Sequence, residues 1–242
     1  MQSAKLMFFI DPSIVITPDY TSYITPVASR DWSARKKQRL KCKKQKAPVV
    51  KVKVREKPVV YNNRKTADEL KGMASGAYSP YEAGAHTEVG GLTKGKLGFH
   101  RSSSIEQLRL GDDHCLWVSE ITITVQSEPI VYIAKKNSTN KCRYKEVLAH
   151  EMKHVNVQRK IIMRYGPVIQ RAVFQKAQQI GVVGPKKGRD VQRSADAMMA
   201  EIEKVVTNTI ARLAKDRDTR QKHVDTKEEY AAVANALDRC GK

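Results

Sequence analysis

The sequence lacks three features, and each absence narrows what the chain can be. No apolar run approaches the about 18 residues that a membrane-spanning helix needs, which predicts no transmembrane segment. None of the four cysteines belongs to a C-x-x-C pair, which excludes the usual ligand spacing of a zinc ribbon. Aromatic residues are only 6% of the chain, and none lies between Lys36 and Lys57 to stack on nucleic-acid bases.

Positive charge is abundant but unevenly placed. The formal net charge is +20, and thirteen Lys or Arg residues fall between Arg30 and Lys57. Such runs are most often solvated linkers, so we interpret residues 1–47 as a poorly ordered basic leader or linker and residues 48–242 as one folded domain. Binding of nucleic acid or an anionic surface by residues 30–57 is the less favoured interpretation.

The strongest signal in the chain is the pattern H-E-x-x-H formed by His150, Glu151 and His154. On a helix, residues four apart lie on one face, so both imidazoles can bind one metal ion. In this pattern two histidines hold Zn²⁺ and the adjacent glutamate accepts a proton from the zinc-bound water as it attacks a carbonyl. The alternative is a helix with two ordinary surface histidines; His86 and His100, without close ligand-type neighbours, are interpreted as surface residues.

Hydrophobic spacing predicts the elements around this motif. Residues 49–61 read as a strand, and Thr66 with Glu69 forms a capping box for a short helix. Two β-branched segments within residues 116–134 predict a β-hairpin that turns at Ser127 and Glu128. Two long helices follow, one carrying the motif and one from about residue 190 to 222, joined by a glycine-rich turn. The Gly166-Pro167 pair is expected to kink or end the first helix.

The order of hairpin, LAHEMKH helix, second long helix and closing Asp-Thr segment resembles the zincin metallopeptidases. More narrowly, it is similar to a bacterial group described as secreted zinc-dependent proteases of unknown substrate. The resemblance implies a zincin-like α+β fold, in which a small antiparallel sheet (hairpin 116–134) packs on a long antiparallel helical pair. It also implies His150 and His154 as zinc ligands and Glu151 as catalytic base. No H-x-x-G-x-x-H or Glu-x-x-x-Asp extension follows, so the metzincin and ordinary gluzincin patterns do not apply.

A catalytic zinc takes three protein ligands, so a third must come from elsewhere. If the helices turn back near residue 185, His150 lies level with residue 220, far from Glu201 and Glu203. His223 is our first choice and Glu229 the second. Glu229 also fits a capping position after Thr226. The candidates at this level are Asp216, Asp218, His223, Asp225, Glu228 and Glu229.

The predicted hairpin also brings two cysteines together. It places Cys115 opposite residue 140, which predicts a disulfide between Cys115 and Cys142, with two free thiols as the alternative. Cys240 is left to pair with Cys42 or to stay free. A disulfide favours a periplasmic or secreted protein, although the apolar segment of the N-terminus is cut short by Asp11 and Pro12. A cytoplasmic location is the alternative.

These features together predict a zinc-dependent peptidase with Zn²⁺ as cofactor and a protein or peptide substrate. The alternative is a non-catalytic protein that binds nucleic acid or an anionic surface through residues 30–57. A third hypothesis is a cytoplasmic protease that acts at DNA through the same basic run.

Overall fold

The computed structural model describes residues 5–10, 19–27, 41–74, 78–81 and 87–241. Within these ranges a mixed sheet packs against two long helices. Its strands are β1 (Lys5–Ile10), β2 (Asp19–Val27), β3 (Val49–Glu56), β4 (Val60–Asn62), β5 (Thr87–Leu110), β6 (Asp113–Ile133) and β7 (Val182–Lys187). The helices are α1 (Ala67–Met73), α2 (Lys135–Ser138), α3 (Lys141–Ile180), α4 (Val191–Lys222) and α5 (Lys227–Arg239).

Two long antiparallel strands, β5 and β6, form the centre of the sheet and turn at Gly111, whose φ is 65°. Strands β1 and β2 pair with β5, and β3 and β4 pair with β6, in each case in parallel. Strand β7 pairs with β6 antiparallel, close to the turn. The sheet therefore has seven strands in the described residues, with parallel pairs at both edges.

The prediction of a small antiparallel hairpin at 116–134 is wrong, because residues 113–133 form one uninterrupted strand. Pro129, which suggested a turn, lies between the positions where β3 ends on Ser127 and β4 begins on Ile130. Between the end of β3 and the start of β4, no described strand on that side requires an N–H donor from β6. Proline, which has no N–H, therefore fits at this position. The alternation of buried and half-buried residues runs through the expected turn without a break.

The long helices form a layer on one face of the sheet. Helix α3 has 40 residues and continues through Pro167 instead of ending there. Helix α4 returns antiparallel to it, as the periodicity predicts, with the Tyr165 hydroxyl donating to the Arg212 carbonyl at 3.3 Å. Between helices and sheet lies an aliphatic core that includes Leu97, Ile121, Ile169 and Ile202.

The sheet extends into the segment that was expected to be a poorly ordered leader. Strands β1 and β2 both lie before residue 48 and pair with β5. Residues 1–4, 11–18 and 28–40 of that segment lie outside the described residues, and so does His86. The capping box predicted for α1 is confirmed, since the Thr66 hydroxyl and the Glu69 carboxylate bond reciprocally to backbone N–H groups.

Two disulfides are present, and neither is the predicted pair of Cys115 and Cys142. Cys115 bonds to Cys42, and Cys142 bonds to Cys240. The predicted disulfide depended on the hairpin at 116–134, which the structure does not contain. Because β6 does not turn, Cys115 and Ile133 lie at opposite ends of one strand, about 60 Å apart along it, and Cys142 follows Ile133. Pairs of disulfides are typical of proteins from oxidising compartments. Among the described helices, none is long and apolar enough to cross a bilayer.

Candidate metal centre

The two motif histidines lie on the buried face of α3. His150 and His154 are one helical turn apart and are 1% and 0% exposed. Their rings meet edge to face, with 5.1 Å between ring centroids, and their Nε2 atoms are 3.3 Å apart. The alternative of two ordinary surface histidines is thereby excluded.

Asp225 completes a group of three possible ligands. It lies in the short connection between α4 and α5 and is 2% exposed. Its Oδ1 atom is 3.1 Å from Nε2 of His154 and 3.6 Å from Nε2 of His150. These three residues could hold a metal ion.

The third member of the group is thus Asp225 and not His223, which is exposed at the C-terminal end of α4. The reason is the register between the helices. After α3 the chain continues as β7 along β6 before α4 begins, so α4 starts beyond the end of α3. Lys176 consequently faces Glu201, His154 faces Gln221, and His150 faces the connection that contains Asp225.

Outer partners orient both imidazoles. Nδ1 of His154 is 2.7 Å from Oε1 of Gln221, whose amide also donates to the His154 carbonyl. Nδ1 of His150 is 3.4 Å from Oε1 of Glu229. With a cation bound, each Nδ1–H would donate to its oxygen and both Nε2 lone pairs would face the cation beside the Asp225 carboxylate.

Glu229, the second choice for a ligand, therefore lies outside the three-atom group. Its carboxylate contacts the Lys153 ammonium as well as His150. Its backbone N–H donates to the Thr226 hydroxyl, so the capping role expected for this pair is confirmed. Asp216 binds Arg164 and Arg220, and the exposed Asp218 binds the buried Arg217 of α4.

The electrostatics of the group favour a bound positive charge. Burial raises the pKa of Asp225, but hydrogen bonds from both imidazoles outweigh it, and the pKa is lowered overall. Burial lowers the pKa of His150. Burial acts in the same direction on His154, yet the hydrogen bond and charge of Asp225 prevail and raise its pKa. The Asp225 carboxylate thus stays ionised although it is buried.

Glu151 lies beside the group on the side of the sheet. Burial raises the pKa of its carboxyl to about 8. One oxygen, Oε2, accepts a 2.6 Å hydrogen bond from the Thr93 hydroxyl on β5. The other, Oε1, is buried and has no hydrogen-bond partner in the described residues. A Cβ atom on Gly91 would come within 2.5 Å of this oxygen, so the absence of a side chain there makes room for Glu151.

Aromatic rings and a disulfide enclose the outer side of the group. The Tyr230 hydroxyl donates to Asp225 Oδ1 at 2.7 Å, and its ring lies 5.6 Å from that of His150. The Tyr81 ring stacks on Tyr230, with 5.9 Å between centroids. The Cys142–Cys240 disulfide joins the start of α3 to the end of α5. The sequence pointed to Asp225 as one of several candidates, but nothing in it pointed to Gln221, Thr93 or Gly91.

The spacing of the donors fits tetrahedral coordination. Ligands about 2.1 Å from a tetrahedral zinc ion lie about 3.4 Å from one another, and the three separations here are 3.1, 3.3 and 3.6 Å. Two imidazoles and one carboxylate also leave a fourth position for water or substrate.

Comparison with known proteins adds no further assignment: no protein-family model, curated protein or solved structure matches the chain.

Proposed function

We propose that this protein is a zinc-dependent peptidase, with His150, His154 and Asp225 as ligands and Glu151 as the general base. The observation that carries the proposal is the convergence of three ligand atoms beside a buried carboxylate oxygen that has no hydrogen-bond partner within the described part of the chain. Sites with three protein ligands are typical of catalytic zinc, whereas structural zinc normally has four.

The donor types support zinc over other ions. Imidazole nitrogen suits zinc, copper, nickel and iron, and a single carboxylate excludes the oxygen-rich cages that calcium and magnesium prefer. Two histidines and one carboxylate also form the ligand set of non-haem iron enzymes, which require octahedral geometry with donors about 3.0 Å apart. The H-E-x-x-H pattern of His150, Glu151 and His154, which is typical of zinc peptidases, is the reason that we choose zinc.

Each residue has a defined part in hydrolysis. The bound zinc would polarise the scissile carbonyl and lower the pKa of an attacking water. A bound dication would lower the pKa of Glu151 from about 8 and so keep its carboxylate ionised. Glu151 would then accept a proton from that water at Oε1 and later deliver it to the leaving amine. Thr93 holds the other carboxylate oxygen, which leaves Oε1 as the atom available for proton transfer. Gln221 and Glu229 keep both imidazoles in the tautomer that presents Nε2.

The two disulfides support a proposal about the compartment in which the protein folds. Cys42–Cys115 and Cys142–Cys240 account for all four cysteines, as expected for a chain that folds where thiols are oxidised. We therefore place the enzyme in the periplasm or outside the cell, with protein or peptide substrates there.

Complete burial of the group favours a second candidate function, a structural metal. Asp225, His150 and His154 are each at most 2% exposed, and a metal bound to them would hold the connection before α5 on α3. Such a metal would stabilise the fold without hydrolysing anything.

The deciding experiment measures metal content and hydrolysis together. We expect one equivalent of zinc in the purified protein and its loss in His154→Ala. Glu151→Gln should keep the zinc and lose at least about 100-fold in cleavage of an unfolded, dye-labelled protein, because general-base catalysis contributes about 10²–10⁴-fold.

Glu146→Gln is the matched control, since it makes the same change on the same helix outside the metal group. It should cleave like the parent. Iron, manganese or copper in place of zinc would contradict the metal assignment. Zinc in a parent that hydrolyses nothing, together with unfolding on chelation, would establish the structural role instead.

A further inference from the structure

The face of the sheet that points away from α3 and α4 has a polar and positively charged surface. Side chains alternate along β5 and β6, and those on the helix side, such as Leu97, Ile121 and Ile123, are fully buried. Those on the other side are half-buried or exposed. We call this surface the open sheet face and define it by Lys51, Lys53, Arg55, Lys94, Lys96, Gly98, His100, Ser102, Thr122, Thr124 and Gln126.

Among the described helices, α1 covers one end of this side of the sheet and leaves the open sheet face beyond it. Leu70 and Ala74 of α1 pack with Leu92 of β5 and Tyr132 of β6. Further along β5, from Lys94 to Ser102, the alternate positions keep exposed or half-buried side chains. The uncovered region is therefore a surface several strands wide and not a single edge.

The strand register arranges this surface in rows. Lys51 lies beside Thr122, which lies beside Ser102; Arg55 lies beside Gln126, which lies beside Gly98. Same-face positions repeat about every 6.8 Å along a strand, and neighbouring strands are about 4.8 Å apart. Positive groups on β3 and β5 thus flank a central line of hydroxyl and amide groups on β6.

Positive charge exceeds negative charge on this surface. Glu120 and Glu128 pair with Lys51 and Lys57 at 2.8 and 2.6 Å. Lys53, Arg55 and Lys96 have no ion pair among the described residues and add to the excess. The exposed lysines 41, 43, 44 and 46 precede β3, and the Cys42–Cys115 disulfide ties that segment to β6.

We propose that the open sheet face binds a linear phosphodiester polymer. Positive groups arranged in rows fit a chain with one charge per repeat better than a single small anion, which would need a pocket. Hydroxyl and amide side chains are the partners that, with Lys and Arg, contact phosphate oxygens in complexes with nucleic acids. The binding would depend little on base identity, because the positions that define this face include no Phe, Tyr or Trp to stack on bases and only one imidazole, that of His100.

The composition of the face argues against a lipid bilayer as the partner. Surfaces that dock on bilayers combine basic residues with apolar side chains that enter the interface. The central line here is Thr122, Thr124 and Gln126, which would lose hydrogen bonds with water and gain none from acyl chains.

The test uses the full-length protein and a dye-labelled abasic phosphodiester 12-mer, with binding measured by fluorescence anisotropy over a range of salt. The variant is Lys53→Gln/Arg55→Gln/Lys96→Gln. Each phosphate contact contributes about fivefold at 0.1 M salt through counterion release, so this triple change should weaken binding about 100-fold and reduce the salt slope by about 2.

The matched control, Lys160→Gln/Lys204→Gln/Lys215→Gln, removes the same charge from exposed positions on α3 and α4. It should weaken binding by less than about threefold, because those sites lie on the helix layer at the opposite face of the sheet, where salt screens their charge from the open sheet face. Thermal unfolding should show that both variants are folded, as expected for changes of exposed lysines and arginine.

Three outcomes would overturn the proposal. The first is that the parent binds no 12-mer at 0.1 M salt. The second is that both triple variants weaken binding equally, in which case overall charge and not this face is responsible. The third is that polyglutamate of matched charge or anionic phosphatidylglycerol vesicles bind as tightly and with the same loss in the first variant.

Discussion

The two halves of α3 stabilise the protein in different ways. From Ile161 to Ala177 the buried side is aliphatic and belongs to the main core. From His150 to Gln158 the buried side carries imidazoles, a carboxylate and an amide beside Val155. Hydrophobic burial holds the second half, whereas the first half is held by a smaller apolar cluster that includes Val147 and Val155, together with hydrogen bonds, a disulfide and, in our proposal, a metal ion. One helix thus joins a packed scaffold to a polar site, and the substitutions below are chosen to separate the two.

The largest effect is expected in the aliphatic half. Ile169 is fully buried, and Ile169→Ala should lower the free energy of unfolding by about 2–5 kcal/mol through lost burial and a cavity. Zinc content should not change, because the site lies some four turns away along the helix. Urea unfolding and metal analysis measure both; loss of zinc in this variant would show that the halves are coupled. Ile169→Val should cost about 0.5–1.5 kcal/mol.

The two disulfides should differ in their effect on the metal. Replacing Cys142 and Cys240 by serine should lower unfolding free energy by about 2–4 kcal/mol and speed up zinc loss to a chelator, because α5 and the connection before it are released. Replacing Cys42 and Cys115 should have a similar effect on stability and none on the rate of zinc loss. Equal rates of zinc loss in both pairs of variants would contradict this separation.

A smaller effect is expected from the outer partner of His154. Gln221→Leu leaves Nδ1–H of that imidazole without its acceptor, and zinc affinity should fall about 10–100-fold. Competition with a fluorescent chelator measures the change. Gln170→Leu is the comparison, since Gln170 donates to the Val50 carbonyl in the aliphatic half. It should leave zinc affinity unaltered, and an equal loss in both variants would point to a general loss of stability.

The smallest effect is expected for Glu229, which contacts a ligand histidine but is not itself a ligand in our proposal. Glu229→Gln keeps an oxygen acceptor for His150 and should change zinc affinity by less than about tenfold. Asp225→Asn should reduce it far more, because a ligand charge is lost. The same titration on His223→Ala should give the parent value. If Glu229→Gln matched Asp225→Asn, Glu229 would be a ligand as well.

Whether a residue of this site could be predicted depends on how far apart along the chain the interacting residues lie. His150 and His154 share a face because the helical repeat places residues four apart together, a property of consecutive residues. The sequence could name Asp225 only as one of six candidates. Its position along the axis of α3 depends on how far β7 carries the chain beyond the end of α3 before α4 begins. Thr93 and Gly91 were invisible for the same reason: they lie on a strand more than 50 residues earlier, and only packing brings them to Glu151.

The sequence by itself determined the local features: the helical face with both histidines, the capping box at Thr66, the N-cap at Thr226, the two long helices and the basic run. Each depends on residues within a turn or two, so the pattern is sufficient. Only the tertiary structure decided that β6 continues past Pro129, which cysteines pair and which carboxylate joins the histidines. Those outcomes depend on registers between distant segments, and registers are determined by packing across the sheet and the helix layer and not by any local pattern.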